Sequence, residues 1–188
     1  MKHLVLLFTF CSVVYAQAQN KSVYDKIPTK EVVIGGHWSI RIPVEYELIA
    51  DDVKNINGKK LPVKAYTVKD QMGRKVYILL LGVLSIEKDF EKEIESGEFV
   101  PDNKVNKQFA SAIYKDKEHK LINGIHSYAT WVSIATTLGA QQYRFQYSFF
   151  RKNKMLDLSH SVLDLNTSTR ELGFKLNEFI INSVKYKD

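Results

Sequence analysis

Cysteine is nearly missing from this 188-residue chain: there is one, Cys11. It lies inside an N-terminal apolar stretch, so a chain that has lost this stretch holds none. Disulfides, thiolate catalysis and cysteine-ligated metal centres are then excluded together. Proline is scarce, and no linker rich in Pro, Gly or Ser divides the sequence. No internal repeat is present either, so one domain is expected. Histidines do not occur at His-x-His or His-x-x-x-His spacing, and no serine sits in a Gly-x-Ser-x-Gly elbow. Neither a metal, nor another cofactor, nor a serine hydrolase is expected on those grounds.

Charge of one sign is not concentrated anywhere. The net charge is +6, but the basic residues are scattered, with small clusters at Lys59-Lys60 and at Arg151, Lys152 and Lys154. Without a basic stripe on one element, no nucleic acid partner is expected.

The N-terminus carries the clearest signal present. Lys2 precedes an apolar run of Leu4, Val5, Leu6, Leu7, Phe8, Phe10, Val13 and Val14, and small residues follow at Ala16 and Ala18. This order of positive, apolar and small residues predicts a signal peptide over residues 1–18, cut after Ala16 or Ala18. The run is short of the roughly 20 apolar residues of a spanning helix. Phe10 before Cys11 is too bulky for lipid attachment at that cysteine. The expected location is outside the cytoplasm, periplasmic or secreted, with membrane contact only if the N-terminal segment is retained. Residues 19–30 read as a flexible lead-in and 31–188 as a single domain.

Within that domain, residues 31–34 form a brief strand stopped by Gly35-Gly36, and Trp38, Ile40 and Ile42 alternate with polar residues up to Pro43. Residues 45–50 read as a short strand or bend, and 51–60, around Asn57-Gly58, as an exposed loop. A hairpin follows, with strands 63–69 and 75–84 about Asp70-Gln71-Met72-Gly73. The second strand is apolar on both faces, which predicts cover above and below it. Ser85 is placed as the cap of a helix over 85–96, and Val105, Phe109, Ala112 and Ile113 predict another over 101–115. Residues 115–120 read as a charged connector. Asn123-Gly124 is a two-residue hairpin signal. Three long strands are expected at 125–137, 141–151 and 154–162, turning at Leu138-Gly139 and Lys152-Asn153. A helix over about 166–186 closes the chain, with Ser168 and Glu171 at capping-box spacing.

Two-residue turns fix a register across those three strands. They set Phe145 opposite His160, Trp131 opposite Gln146 and Gln146 opposite Ser159, so that one face is apolar and the other polar. Trp131, Arg144, Gln146, Asp157 and Ser159 then form the candidate ligand-binding surface. Arg144 offers a fork of donors to an anion, and Trp131 a ring to stack on. A plain solvated sheet face explains the same residues. His160 falls on the apolar face, where a core histidine is the default.

The order of elements, with Trp38-Ser39-Ile40-Arg41-Ile42-Pro43, Asn123-Gly124-Ile125 running on to Trp131, and Phe179 to Lys185 at the end, resembles the PsbP-like superfamily. That family includes an extrinsic photosystem II protein and a Ran-binding nuclear-import factor. The resemblance implies an α+β fold, an antiparallel sheet with helices packed on it as an α/β/α sandwich. It also implies a binding or accessory role rather than an enzyme, and it assigns no functional residue. The expected function is therefore an exported binding domain for an envelope or secreted protein. The alternative is a small-ligand carrier or hydrolase with a pocket on the polar face near Trp131.

Overall fold

The computed structural model describes residues 27–56, 59–85, 89–98, 113–114, 118–136 and 139–188. The expected signal peptide falls outside that set, as does the expected helix over 101–115 apart from Ile113-Tyr114, which are strand instead. Residues 19–26 of the expected lead-in also fall outside it. Strand dominates: 61% against 16% helix. This overturns the expected α+β sandwich with helices packed as layers. Among the described residues every strand pairing is antiparallel, and one helix is long.

The strands are β1 (Thr29–Ile34), β2 (Trp38–Pro43), β3 (Glu47–Ile56), β4 (Lys59–Lys69), β5 (Lys75–Ser85), β6 (Ile113–Tyr114), β7 (Glu118–Ile122), β8 (Ile125–Ala135), β9 (Gln141–Arg151), β10 (Lys154–Asp164) and β11 (Lys185–Tyr186). The helices are α1 (Phe90–Glu95) and α2 (Thr167–Asn182). The large sheet runs β3-β4-β5-β10-β9-β8-β6, with β7 also on β8, and the small one β1-β2-β11.

Several expectations give way for local reasons. The lead-in is strand from Thr29, where β1 pairs with Pro43 of β2. Residues 51–56 and 59–60 of the supposed loop belong instead to the paired strands β3 and β4, and β3 lies at the edge of the described sheet. Edge strands carry charge on both faces and so lack the alternation that marks a half-buried strand. Here the charges pair across the ladder, Lys64 with Asp51 at 2.8 Å and Lys69 with Glu47 at 3.5 Å. Ser85 ends β5 instead of capping a helix, and α1 starts only at Phe90. The connector at 115–120 is strand from Glu118. Helix α2 is capped by Asn166, whose side chain accepts from the Thr169 amide at 2.9 Å, and not by Ser168. It stops at Asn182, and Lys185-Tyr186 turn back into a strand on β2.

The core lies on one face of the large sheet. Trp38, Ile40 and Ile42 of β2 are fully buried, and the Trp38 ring meets Phe149 with centroids 6.5 Å apart. Helix α2 sits beside the small sheet on the same face, pressing Leu176 and Ile180 onto β10 and β2. Each such apolar side chain contributes roughly 1.5–3 kcal/mol on burial. From β5, Tyr77, Leu79, Leu81 and Val83 enter this core. Its other face is not sealed: Leu80 is 45% exposed and borders a cavity. The expectation of cover on both sides of β5 is met on one.

The β9–β10 register is as expected from the Lys152-Asn153 turn, with Phe145 opposite His160 and Gln146 opposite Ser159. The β8–β9 register is not. Trp131 pairs with Phe145 and Thr130 with Gln146, one residue away from the expected alignment. The Thr136 amide donates to Ala140 at 2.8 Å, and the Gly139 amide to Thr136 at 3.0 Å, so the loop holds three residues, not two. Gly139, at φ +76°, supplies the left-handed position that such a loop closes on. Because side chains alternate, this slip turns all of β8 over.

Candidate functional site

The face opposite α2 carries a cavity of about 640 Å³. Its floor is a set of cross-strand rows. One row runs Val63, Gly82, Asp157, Ser148, Tyr128 over β4, β5, β10, β9 and β8. The next runs Leu80, Ser159, Gln146, Thr130 over β5, β10, β9 and β8. On the other side Leu84, Met155 and Phe150 form an apolar row. Side chains in one row point the same way, so the register alone brings these residues together.

Gly82 makes the depression. A Cβ built on it meets nothing within 4 Å. The neighbours on either side, Leu80 and Leu84, rise past it, and so a hollow opens in mid-strand. Helix α1 closes the apolar end. Its Phe90 ring lies 5.5 Å from Phe150, which in turn meets Tyr128 edge-on at 5.9 Å. Glu91 fixes α1 by accepting from the Arg151 guanidinium, and Glu95 lies 3.8 Å from His126 Nε2. At the centre, Ser148 Oγ donates to Asp157 Oδ1 at 2.7 Å.

Of the residues singled out by sequence, Gln146, Asp157 and Ser159 line this cavity. Arg144 shares their face but sits one row further out, between Val132 and Ser161. Asp157 pairs with Ser148 instead, so the two charges belong to separate rows. Trp131 is on the opposite face because β8 is turned over, in a row with Phe145 and His160. Its ring meets Tyr143 at 6.5 Å, and Tyr143 meets Phe174 of α2 at 5.0 Å. Sequence reasoning missed Gly82, Leu80, Phe90, Tyr128 and Phe150. The one available signal was a glycine inside the most apolar strand, which marks a close approach or a gap.

His160 belongs to the core and not to the cavity. It is fully buried, with Nε2 2.8 Å from the Tyr46 hydroxyl. Burial pushes its pKa down to about 4, and Asn177 opposes this only in part. Burial also raises the pKa of Tyr46. His119 and His126 stack, with Nε2 of one 3.1 Å from Nδ1 of the other. Glu95 approaches the remaining nitrogen of His126, so the three do not converge. Among the described residues no group of three or more His, Cys, Asp or Glu could hold a metal ion.

No family model matches the chain, and no curated protein matches it. Several solved structures are similar in shape, among them the following two. One is a protein from Bacteroides thetaiotaomicron, with a TM-score of 0.50 at 10% identity over 85% of this chain and 48% of that one. This chain thus spans about half the length of that neighbour, and the likeness is one of fold alone. The other is LpqN of Mycobacterium tuberculosis, described as involved in cell envelope biogenesis, with a TM-score of 0.49 at 12% identity over 90% and 99%. Among the described residues no helix is long and apolar enough to cross a membrane.

Proposed function

We propose that this is an exported, non-catalytic binding domain that holds a small amphipathic molecule in the cavity over β4, β5, β10, β9 and β8. Export rests on the N-terminal order Lys2, apolar run, Ala16 and Ala18. Binding rests on the hollow above Gly82, which is of the size that encloses small ligands and mixes apolar walls with a few polar groups. A concave face of this kind suits a small molecule better than a protein surface. Catalysis gains no support: His160, the histidine adjacent in sequence to Ser159, points into the other side of the sheet.

Gly82→Trp tests the reading. Gly82 has ordinary strand φ, so a side chain is tolerated and projects into the hollow. Replacing an interior strand glycine removes its entropic cost of about 0.5–1 kcal/mol, so folding is unharmed or improved. The variant is expected to bind N-phenyl-1-naphthylamine, a neutral apolar dye, at least ~10-fold more weakly than the parent, in line with about 1.4 kcal/mol per tenfold. Equal dye affinity in the two proteins, with melting temperatures also equal, rules the cavity out as the binding site.

A further inference from the structure

We infer that strand β3 pairs with β3 of a second copy of this chain, antiparallel about a twofold axis at Val53. Among the described residues nothing pairs with the outer side of β3. Every residue from Glu47 to Asn55 is exposed, Val53 by 55%. An open strand edge is a template for another strand. Which backbone groups it offers follows from β4. Val53 stands opposite Pro62, which has no N–H to give. This pair therefore exchanges no ladder bonds, and such pairs alternate with ones that do. Asp52 and Lys54 turn their backbone groups to β4, whereas Asp51, Val53 and Asn55 turn theirs outward. The Val53 amide accordingly donates not into the ladder but to Asp52 Oδ1, at 2.7 Å.

Charge selects both the partner and the register. Charges on an edge ordinarily discourage pairing. A twofold axis at Asp51, Asp52 or Lys54 does so here, because each sets like charges directly opposite. An axis at Ala50 falls beside the irregularity between Leu48 and Ala50, and one at Asn55 runs off the strand after Ile56. At Val53 the same charges attract. Asp52 comes opposite Lys54 of the second copy, and symmetry repeats the pair. Neither Lys54 nor Asn55 has a side-chain partner among the described residues. Asp51, which keeps Lys64 at 2.8 Å, meets the Asn55 amide. The half-exposed Val53 meets its own copy. In this register the pairs Val53–Val53 and Asp51–Asn55 are the ones whose backbone groups point outward, so each exchanges both its bonds. The pairing extends the sheet sideways and does not depend on what the cavity holds.

Sedimentation equilibrium of the protein, from micromolar to millimolar concentration, tests the pairing. The mass is expected to rise from that of one chain towards that of two. Val53→Pro removes the amide at the axis, and an edge strand tolerates proline where the N–H side faces solvent. This variant is expected to stay monomeric throughout, with an unchanged melting temperature. Asp52→Lys and Lys54→Asp each set like charges opposite at both symmetry-related pairs, and each is expected to weaken dimerisation at least ~10-fold. Together they exchange the signs and are expected to restore the parent affinity. A parent that stays monomeric at every concentration overturns the inference, and so does dimerisation unchanged in Val53→Pro. Single charge reversals that dimerise as tightly as the parent, or a double variant no tighter than the singles, overturn the axis at Val53 and the inference with it. Asp52 and Lys54 are exposed, so these variants decide the matter even where Val53→Pro fails to fold.

Discussion

Gly173→Leu is expected to cost the fold roughly 3 kcal/mol or more, the upper range for overpacking a closed core. Gly173 lies in the second turn of α2, where the helix approaches the sheet, and a Cβ there falls 2.5 Å from Val162 Cγ1, 2.8 Å from Cγ2 and 2.9 Å from Tyr77 Cε1. Real Cβ contacts are essentially never that short, so helix or sheet must move. Neither moves cheaply. Val162 is fully buried and β-branched, with little rotamer freedom. Tyr77 is held by its hydroxyl, which donates to the Thr169 carbonyl at 2.9 Å. Alanine is the finer probe. In an open helix Gly→Ala gains about 1 kcal/mol in propensity, so Gly173→Ala with a net loss shows the overlap to be larger than that gain. Combining it with Val162→Ala removes the two nearest methyls and is expected to recover much of the loss, a coupling that equilibrium urea unfolding of the four proteins measures. Additive effects, or a Gly173→Ala variant more stable than its parent, contradict this seating of α2.

The same close approach shows which parts of the fold were open to inspection. Leu172, Leu176, Phe179 and Ile180 recur at helical spacing, but Gly173 sits between them without any mark of periodicity. It is the glycine that sets how near α2 comes. The β9–β10 pairing was legible because Lys152-Asn153 is a two-residue turn, and Lys152 does adopt φ +51°. The β8–β9 pairing was misread because Leu138-Gly139 looks equally short. A two-residue loop of the favoured primed type would ask a positive φ of Leu138 as well, and a leucine resists that. A three-residue loop closes on a left-handed last residue, a position that Gly139 fills. Backbone cost thus outweighed the tidy sorting of apolar from polar side chains.

That sorting misled for a further reason. Ser127 and Ser133 of β8 face the core and are buried, whereas Tyr128, Val132 and Ile134 share the cavity side. A serine can sit inside when its hydroxyl has a partner, as Ser127 Oγ does in donating to the Lys120 carbonyl at 2.8 Å. Large apolar residues can sit on the other face when a cavity lies there. Polarity therefore does not label the two sides of β8, and Trp131 was assigned to the wrong one. Gln146, Asp157 and Ser159 were placed together correctly because their strands are joined by the turn that was read correctly. The apolar half of the cavity depends on Phe90 and α1, and no register links those to the sheet.

Acidification from pH 7 to pH 4 is expected to remove roughly 3 kcal/mol of stability through His160 alone. The imidazole is sealed under α2 between the rings of Tyr46 and Tyr77, at centroid distances of 6.1 and 6.2 Å. Burial away from water disfavours the charged ring and takes its pKa from 6.5 to about 4, against a smaller opposing effect of Asn177. Above pH 6.5 the ring is neutral in both folded and unfolded chains, and folding keeps its full stability. As pH falls below 6.5 the unfolded chain takes up a proton that the folded one refuses. Stability drops through this window at up to 1.36 kcal/mol per pH unit, and the slope ends near pH 4, where the folded ring protonates as well. His160→Gln removes the titration and keeps a polar group beside Tyr46. It starts from a lower stability but has the flatter profile, so the two curves converge on acidification. Urea midpoints at pH 7, 5.5 and 4 compare the slopes directly. The two proteins share every other side chain, so the remaining pH dependence cancels in the difference. Parallel profiles, or a ring resonance of His160 that titrates near 6.5, would mean that water or an anion reaches the imidazole and that α2 does not seal this face of the sheet.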